Sequence, residues 1–267
     1  MSVTFSGGGV TISGGGWTLV AGPTGKKAIF GYGSTGSYTA ITNLVSNTGV
    51  VSTDTAGVGT ARGYLAAAGY GTDKAIFGYG NTGIAPYNTA ITNLVSNTGV
   101  VANNTSGVGT ARNGITAAGY GTDKAIFGYG YASPSLLSMT NLVSNTGVVA
   151  TDTAGVGTAR ANLAAAGYGT DKAIFGYGDS GSVTAITNLV SNTGVVATDT
   201  AGVGTARSDL AATGYGTDKA IFGYGLTSSD PSRQSMTNLV SNTGVVATDT
   251  AGVGTARYGL AAASYGS

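Results

Sequence analysis

The residues of this chain that could carry chemistry are aspartate, lysine, arginine and tyrosine. The sequence has no histidine, cysteine or glutamate, and all eleven acidic residues are aspartates. Acid–base and nucleophilic catalysis usually relies on a group that titrates near neutrality or on an activated thiol. The aspartates recur once or twice per repeated stretch, as in Thr151-Asp152-Thr153 and Thr170-Asp171-Lys172. This repetition favours structural turn formers over a single active site, so we predict no catalytic residue and no enzymatic activity.

A metal site is the second kind of chemistry that aspartates could support. Calcium loops place several aspartate or asparagine residues at alternate positions. The stretch around Asp199 offers one carboxylate, and the second copy reads Asn103-Asn104 there. Glycoside hydrolysis would need two differentiated carboxylates, and no segment marks such a pair. The sequence therefore predicts neither a metal nor a cofactor.

Five arginines at equivalent positions allow two interpretations. They are Arg62, Arg112, Arg160, Arg207 and Arg257. A ring of arginines could recognise an anion, or each could pair with a neighbouring aspartate or backbone carbonyl where two repeats meet. The net charge of +1 favours the second interpretation. The same charge argues against a nucleic-acid partner, because no basic field is present.

These residues are positioned by a repeat of about 48 residues. The segment Ala-Ile-Phe-Gly-Tyr-Gly occurs five times, and successive copies start 47, 50, 48 and 47 residues apart. Such a period indicates a repeat architecture. Charged residues make up 9% of the chain and glycine contributes 48 residues, which favours short strands and tight turns over helices. Apolar residues amount to 42% and occur in regular short runs, which favours a folded core over disorder.

Each repeat contains four predicted strands. In the second copy they are residues 64–68, 74–79, 89–95 and 99–102. Four short antiparallel strands in a unit of about 40–50 residues are typical of a propeller blade. We therefore predict an all-β fold, a five-bladed β-propeller over residues 17–267, in which the Ala-rich first strands crowd round the axis. A β-solenoid is the rival architecture.

The order of the segments predicts how the ring closes. The chain starts at the second strand of a repeat and ends with an Ala-rich first strand at residues 260–263, which would complete the N-terminal blade. Residues 17–22 could compete for the same position. Residues 1–16 are predicted to form a separate glycine-rich strand pair or docking segment. We find no signal-peptide pattern and no apolar run of membrane-spanning length, so we expect no membrane insertion.

In this order of segments the chain resembles the kelch-type β-propeller, in which an arginine precedes the innermost strand and a hydrophobic strand ends in a glycine doublet. The order is kept here by Arg112, residues 115–118, residues 125–127 with Gly128-Tyr129-Gly130, and residues 140–143. Gly-Tyr-Gly replaces the doublet, and Gly147-Val148-Val149 stands where a tryptophan is expected. The resemblance covers most of the chain and implies the fold rather than a function.

Near-identical tandem units behind a glycine-rich leader are also similar to bacteriophage tail-fibre and virion-surface proteins. This resemblance implies a virion or extracellular location, with residues 1–16 docking to other virion proteins. A homo-oligomer is compatible with it.

The segment that follows each Gly-Tyr-Gly varies while its surroundings hold. Because it links the second and third strands of every repeat, all five segments are expected on one face. Tyrosine, serine, glycine and asparagine on loops above a rigid scaffold are typical of binding surfaces, although drift in unconstrained loops is the alternative. The candidate ligand-binding residues are Tyr38, Tyr87, Asn88, Tyr131, Asp179, Asp230 and Arg233.

These observations predict a non-enzymatic structural or adhesive module that contacts a host-surface glycan or other virion proteins. Two alternatives stay open at this point. One is a free glycan-binding lectin with a shallow site on each blade, and the other is an engineered, idealised repeat protein.

Overall fold

The computed structural model describes residues 27–229 and 232–264. The predicted N-terminal segment 1–16, residues 17–22 and Asp230 lie outside this part of the chain. The described residues form fourteen β-strands and no helix, so the predicted all-β class is confirmed. The strands are arranged in five antiparallel sheets, one for each repeat.

We number the sheets in chain order. Sheet 1 contains β1 (Ala28–Gly31) and β2 (Thr42–Val45). Sheet 2 contains β3 (Ala66–Tyr70), β4 (Lys74–Gly78) and β5 (Thr92–Val95). Sheet 3 contains β6 (Thr116–Tyr120), β7 (Lys124–Ala132) and β8 (Ser135–Val143). Sheet 4 contains β9 (Ala164–Tyr168), β10 (Lys172–Gly176) and β11 (Thr187–Val190). Sheet 5 contains β12 (Ala211–Tyr215), β13 (Lys219–Leu226) and β14 (Arg233–Val240).

The middle strand of each complete sheet is apolar on both faces. In β7, Ile126 and Phe127 point to opposite sides because side chains alternate along a strand, and both are fully buried. Phe127 packs in a cluster with Tyr79 of sheet 2, whereas Ile126 packs in a cluster with Phe175 of sheet 4. Each inner sheet is therefore covered by a neighbour on both sides, and the core lies between sheets.

The predicted fourth strand is present only as isolated bridges. In sheet 2, Val95 pairs with Val101 and Thr92 pairs with Thr105. Between these bridges the ladder is interrupted, since the Asn93 side chain donates to the Ala102 carbonyl at 3.0 Å and to Asn104 Oδ1 at 3.1 Å. The Ala102 amide still donates to the Leu94 carbonyl at 2.8 Å, but a side-chain amide serves as the donor to the Ala102 carbonyl. This irregular outer edge is a poor template for pairing with other chains.

The Ala-rich strands lie next to one another in chain order. β3 contacts β6, β6 contacts β9, and β9 contacts β12. The ends of these four strands line one cavity of about 390 Å³, the axial cavity, and Ser264 of the last repeat lines it as well. This arrangement of five sheets is compatible with a five-bladed propeller.

Closure of the ring through the C-terminal strand is not part of the described structure. Residues 260–263 belong to no strand, and β1 pairs with β2 but has no inner partner among the described residues.

Candidate functional site

The Gly-Tyr-Gly turn is the element from which the variable segments leave each sheet. Tyr129 has a φ of 62°, in the left-handed region that side chains other than glycine rarely adopt. Its four counterparts have φ values of 63–65°: Tyr32, Tyr79, Tyr177 and Tyr224. Its hydroxyl donates to the Val156 carbonyl at 3.1 Å, and burial raises the pKa of Tyr129 to about 12. A strained backbone persists only where the surroundings fix it, so this turn is held by what its ring contacts.

The tyrosine ring contacts the next sheet along the chain, and we call the contact between two consecutive sheets a junction. At junction 3–4, Tyr129 meets Phe175 edge-on, with ring centroids 5.2 Å apart and planes inclined by 64°. A Cβ on Gly128 would lie 2.8 Å from Phe175 Cζ, which requires glycine at this position. The Gly-Tyr-Gly motif is therefore a packing motif between sheets.

A buried arginine completes the junction. Arg160 lies with Cζ 4.4 Å from the Tyr129 ring centroid and is fully buried. Its Nε donates to the Tyr177 carbonyl at 2.8 Å, Nη1 to the Thr158 carbonyl at 2.9 Å, and Nη2 to Asn188 Oδ1 at 2.6 Å. Burial lowers the pKa of Arg160, and these contacts offset the loss of solvent.

An aspartate from the outer segment closes the network. Asp199 Oδ2 accepts the Thr158 hydroxyl at 2.7 Å and the Thr158 amide at 3.0 Å, and Oδ1 accepts Asn188 Nδ2 at 2.9 Å. Burial raises the pKa of Asp199, but these hydrogen bonds outweigh it and the net shift is downward. Asn104 makes the matching bonds to Thr60, so a neutral amide can replace the carboxylate. The aspartate connects two repeats instead of forming a local turn.

The same network recurs at all four junctions between the described sheets. The arginines involved are Arg62, Arg112, Arg160 and Arg207, all fully buried and all bonded to a tyrosine carbonyl and an asparagine. The structural interpretation of these four arginines is confirmed, and they are not available to bind an anion.

The lysines at the axial cavity are also balanced by local partners. Lys124 Nζ lies 3.0 Å from Asp123 Oδ1, and Asn145 donates to the other oxygen of that carboxylate at 3.1 Å. Lys74, Lys172 and Lys219 pair with the preceding aspartate in the same way. Exposed pairs of this kind contribute little stability, and they leave the cavity rim without excess positive charge.

The variable segments leave from the end of the sheets that carries the Gly-Tyr-Gly turns. In four of the five segments the first residue pairs with the residue that follows an arginine, whereas Ser34 pairs with Tyr38 inside its own segment. The four pairs are Asn81–Gly63, Tyr131–Asn113, Asp179–Ala161 and Leu226–Ser208. In sheets 3 and 5 the second and third strands extend into this region as long hairpins, whereas the other sheets have loops. We call this end of the molecule the variable face.

Some predicted site residues contact a neighbouring repeat on the variable face. The ring of Tyr38 covers Gly63 and Gly83 of the second repeat. Asn88 donates to the Tyr131 carbonyl at 3.2 Å and accepts from Asn113 at 2.5 Å. Of the predicted residues, Asn88 and Tyr131 are therefore brought together.

Other predicted residues stand apart from one another. Tyr87 is 59% exposed on the loop of sheet 2. Asp179 Oδ1 accepts the Gly181 amide at 2.8 Å within its own loop. Arg233 is exposed at the start of β14, 5.6 Å from the Tyr258 ring. The predicted residues thus lie along successive sheets rather than round one cleft, and Asp230 is outside the described residues.

Sequence reasoning missed a second variable element on this face, the dipeptide that follows each arginine. It reads Gly63-Tyr64, Asn113-Gly114, Ala161-Asn162, Ser208-Asp209 and Tyr258-Gly259. The second residues form a hydrogen-bonded series: the Gly114 amide donates to the Tyr64 carbonyl at 3.1 Å, and Asn162, Asp209 and Gly259 continue it at 3.0, 3.0 and 2.9 Å. Variation between two constant segments was the signal that could have identified it.

This series places further polar groups on the variable face. Tyr64 is 65% exposed. Burial raises the pKa of Asp209, the Ser208 hydroxyl opposes the shift, and the charge of Asp179 adds to it. The face therefore combines an exposed phenol with carboxylates close enough to interact. Such groups suit hydrogen bonding to a hydroxyl-rich or amide-rich ligand better than binding of a polyanion.

No family model matches this chain, and a comparison with curated proteins finds no match either. Within the described residues, no helix is long and apolar enough to cross a membrane. The same residues contain no cluster of three or more acidic, histidine or cysteine side chains suited to a metal ion.

Proposed function

We propose that this chain is a non-enzymatic β-propeller scaffold that presents the variable face for adhesion. The observation that carries the proposal is the distribution of variation along the repeat. The loop and the dipeptide after each arginine both change from repeat to repeat, and isolated bridges join them on one face. Residues at the junctions stay almost constant because they are buried and bonded.

The target we propose is a glycan on a host surface. Exposed aromatic residues on rigid loops provide contact area at low entropic cost, and Tyr64 and Tyr87 are of this kind. Asp179 and Asp209 add hydrogen-bond acceptors to the same face. We further propose that the protein is located on a virion and contacts other virion proteins, to which residues 1–16 dock. These parts of the proposal are supported by the resemblance to bacteriophage tail-fibre and virion-surface proteins.

A free lectin with one equivalent site on every blade is less favoured. Such a protein would repeat its binding residues from blade to blade, as the junctions repeat theirs. On the variable face the residue at the Tyr64 position is glycine, asparagine or aspartate in other repeats.

We also propose that the five sheets are the blades of one closed ring, completed by residues 260–263 beside β1. Support comes from the junctions, which repeat one geometry four times, and from Ser264, which lines the axial cavity with the ends of the four inner strands.

Binding of the labelled protein to an array of immobilised bacterial surface glycans tests the adhesive role. We expect wild-type binding to at least one glycan class, and a loss of tenfold or more for the Tyr64→Ala/Tyr87→Ala double variant. The matched control is Val148→Ser, which changes a residue 66% exposed at the opposite end of sheet 3. Equal binding by both variants, or no binding by the wild type, would rule out glycan adhesion through this face.

A further inference from the structure

Sheet 5 carries one half of a junction that has no partner among the described residues. Arg257 lies with Cζ 4.1 Å from the Tyr224 ring centroid, and the Tyr224 hydroxyl donates to the Val253 carbonyl at 3.1 Å. These contacts match those of Arg160 and Tyr129. However, Arg257 is exposed, and its side chain donates from Nη1 to the Thr255 carbonyl at 3.0 Å. Within the described part of the chain, its Nε and Nη2 groups contact neither a tyrosine carbonyl nor an asparagine.

Sheet 1 carries the complementary apolar half. Phe30 is 57% exposed, whereas its counterparts in sheets 2–5 are at most 4% exposed. Each counterpart packs against the glycine of the preceding sheet that begins the Gly-Tyr-Gly turn, as Phe175 packs against Gly128. The equivalent glycine of sheet 5 is Gly223, where an added Cβ would meet only Thr237. An exposed phenylalanine therefore lies on sheet 1, at one end of the array of sheets. The uncovered glycine against which it could pack lies on sheet 5, at the other end.

The polar half of sheet 1 is preassembled as well. Asn43 Nδ2 donates to Asp54 Oδ1 at 2.8 Å, just as Asn188 does to Asp199. At the internal junctions this pair is bonded by an arginine and a threonine from the linker that precedes its sheet. Among the described residues, no arginine or threonine side chain donates a hydrogen bond to Asn43 or Asp54, and the Thr255 hydroxyl donates to no carboxylate.

A third complementary contact lies near the outer edge. At junction 4–5, Leu189 and Tyr168 cover Gly244. The corresponding glycine of sheet 1, Gly49, has open space around it, and the corresponding leucine of sheet 5, Leu239, is 40% exposed.

We propose that sheet 5 binds sheet 1 of the same chain in a fifth junction. In it Phe30 packs on Tyr224 and Gly223. The polar contacts join Arg257 to the Tyr32 carbonyl and to Asn43, and Thr255 to Asp54. This inference rests on the closed ring proposed above and names the side chains that close it.

The register of the closing strand follows from the complete sheets. Ala66 pairs with Gly78 and Ala68 with Ile76 in sheet 2. The equivalent pairs in sheet 1 are Ala261 with Gly31 and Ala263 with Ile29. This pairing would give β1 the inner neighbour that its counterparts have.

The chain's own end is a better partner than a second copy. The two faces are joined through four ordered junctions, and Ser264 already shares the axial cavity with the inner strand of sheet 2. Covalent connection gives the two faces an effective concentration of about millimolar or more. A second copy would have to compete with that concentration.

Absence of cysteine from the sequence permits a direct test. In the Asp54→Cys/Thr255→Cys variant, a short bis-maleimide joins the two thiols if the fifth junction forms. The matched control is Thr158→Cys/Asp199→Cys, which sits at an internal junction where the two side chains are hydrogen-bonded at 2.7 Å. We expect both variants to give a cross-linked species of monomer mass on a denaturing gel.

Two results would overturn the inference. Cross-linked dimers or ladders from the Asp54/Thr255 pair would assign the fifth junction to a second copy. Loss of this cross-link while the control still reacts would show that the end faces do not meet. Either result would leave the adhesive role standing, because glycan binding through the variable face is measured separately.

A second measurement covers the case in which the cysteine variants fold poorly. If the fifth junction forms, Phe30→Ala should lower the melting temperature by an amount comparable to Phe175→Ala. An unchanged melting temperature for Phe30→Ala, beside a clear decrease for Phe175→Ala, would contradict closure.

Discussion

Junction 3–4 and the variable face above it use similar polar groups in opposite ways. At the junction, Arg160, Asn188 and Asp199 are bonded to one another or to backbone across two repeats. On the variable face, Tyr64 and Tyr87 are largely exposed. A buried polar group without a partner costs about 1–3 kcal/mol, so each junction residue depends on the others. Exposed side chains carry no such constraint, and the repeats differ where substitution is tolerated.

Removing the aromatic contact of a junction should have the largest effect. Phe175→Ala takes away a fully buried ring that meets Tyr129 and Gly128. We expect a loss of about 3–5 kcal/mol in the free energy of unfolding, measured by urea denaturation. The control on the variable face is Tyr87→Ala, for which we expect a change within about 0.5 kcal/mol. Similar losses for the two variants would break the distinction between junction and face.

Replacing the buried arginine of a junction should cause the second-largest loss of stability. Arg160→Gln leaves the Tyr177 carbonyl and Asn188 Oδ1 without their donor. We expect destabilisation of about 1–3 kcal/mol by urea denaturation. The matched variant is Arg233→Gln on the variable face, where the side chain is exposed and no measurable change is expected. If Arg160→Gln were neutral, the network would not be what fixes one sheet on the next.

A single hydroxyl of the Gly-Tyr-Gly turn tests a smaller part of the junction. Tyr129→Phe keeps the ring against Phe175 and removes the bond to the Val156 carbonyl. The expected loss is about 0.5–1.5 kcal/mol, again from urea denaturation. A loss as large as that of Phe175→Ala would mean that the hydroxyl, and not the ring, holds the strained backbone in place.

The repeat and the class of the fold were predictable because both follow from local pattern. Glycine-rich turns and short apolar runs such as Ala125–Ile126–Phe127 predict strands without knowledge of their neighbours. The outer strand was predicted with more regularity than it has. That prediction does not include the Asn93 side chain, which donates to the Ala102 carbonyl in place of a backbone amide. A side chain that replaces a backbone donor in this way depends on a partner nine residues away. It leaves no trace in the alternation of apolar and polar residues from which strands are predicted.

The site was harder to predict because its residues act across repeats. Its type and loop position predict Tyr38 as a ligand-binding residue, and its ring covers two glycines of the next repeat. The repetition of aspartate predicts that Asp199 forms a local turn, whereas its carboxylate accepts a hydrogen bond from a threonine of the preceding linker. Neither contact is visible in the sequence until consecutive repeats are stacked. The variable dipeptide at Tyr64 gives only a weak sequence signal because it is short and follows a constant arginine.

The Asp199 carboxylate can be compared with an amide that stands at the equivalent position of another repeat. Asn104 holds the same position at junction 1–2, so we expect Asp199→Asn to change stability by less than about 1 kcal/mol at neutral pH. Because the folded pKa of Asp199 is lowered, its contribution is present above the unfolded pKa and is lost as the pH falls through the folded pKa. The difference between wild type and variant in urea denaturation should therefore shrink on acidification. Asp199→Ala, which also removes the acceptors for Thr158, should be less stable than Asp199→Asn at every pH.

On the variable face, the stability contribution of Asp209 should change with pH in the opposite direction. Burial and the charge of Asp179 raise the pKa of Asp209, so the folded state binds its proton more tightly than the unfolded state does. Its contribution to stability is present below the unfolded pKa and is lost as the pH rises through the folded pKa. Asp209→Asn should therefore match the wild type in acid and exceed it at pH 7 in paired urea titrations. The variable face thus retains an unfavourable carboxylate, whereas the junctions lower the pKa of theirs. If the variant lost stability relative to wild type as the pH rose, Asp209 would belong with the junction carboxylates instead.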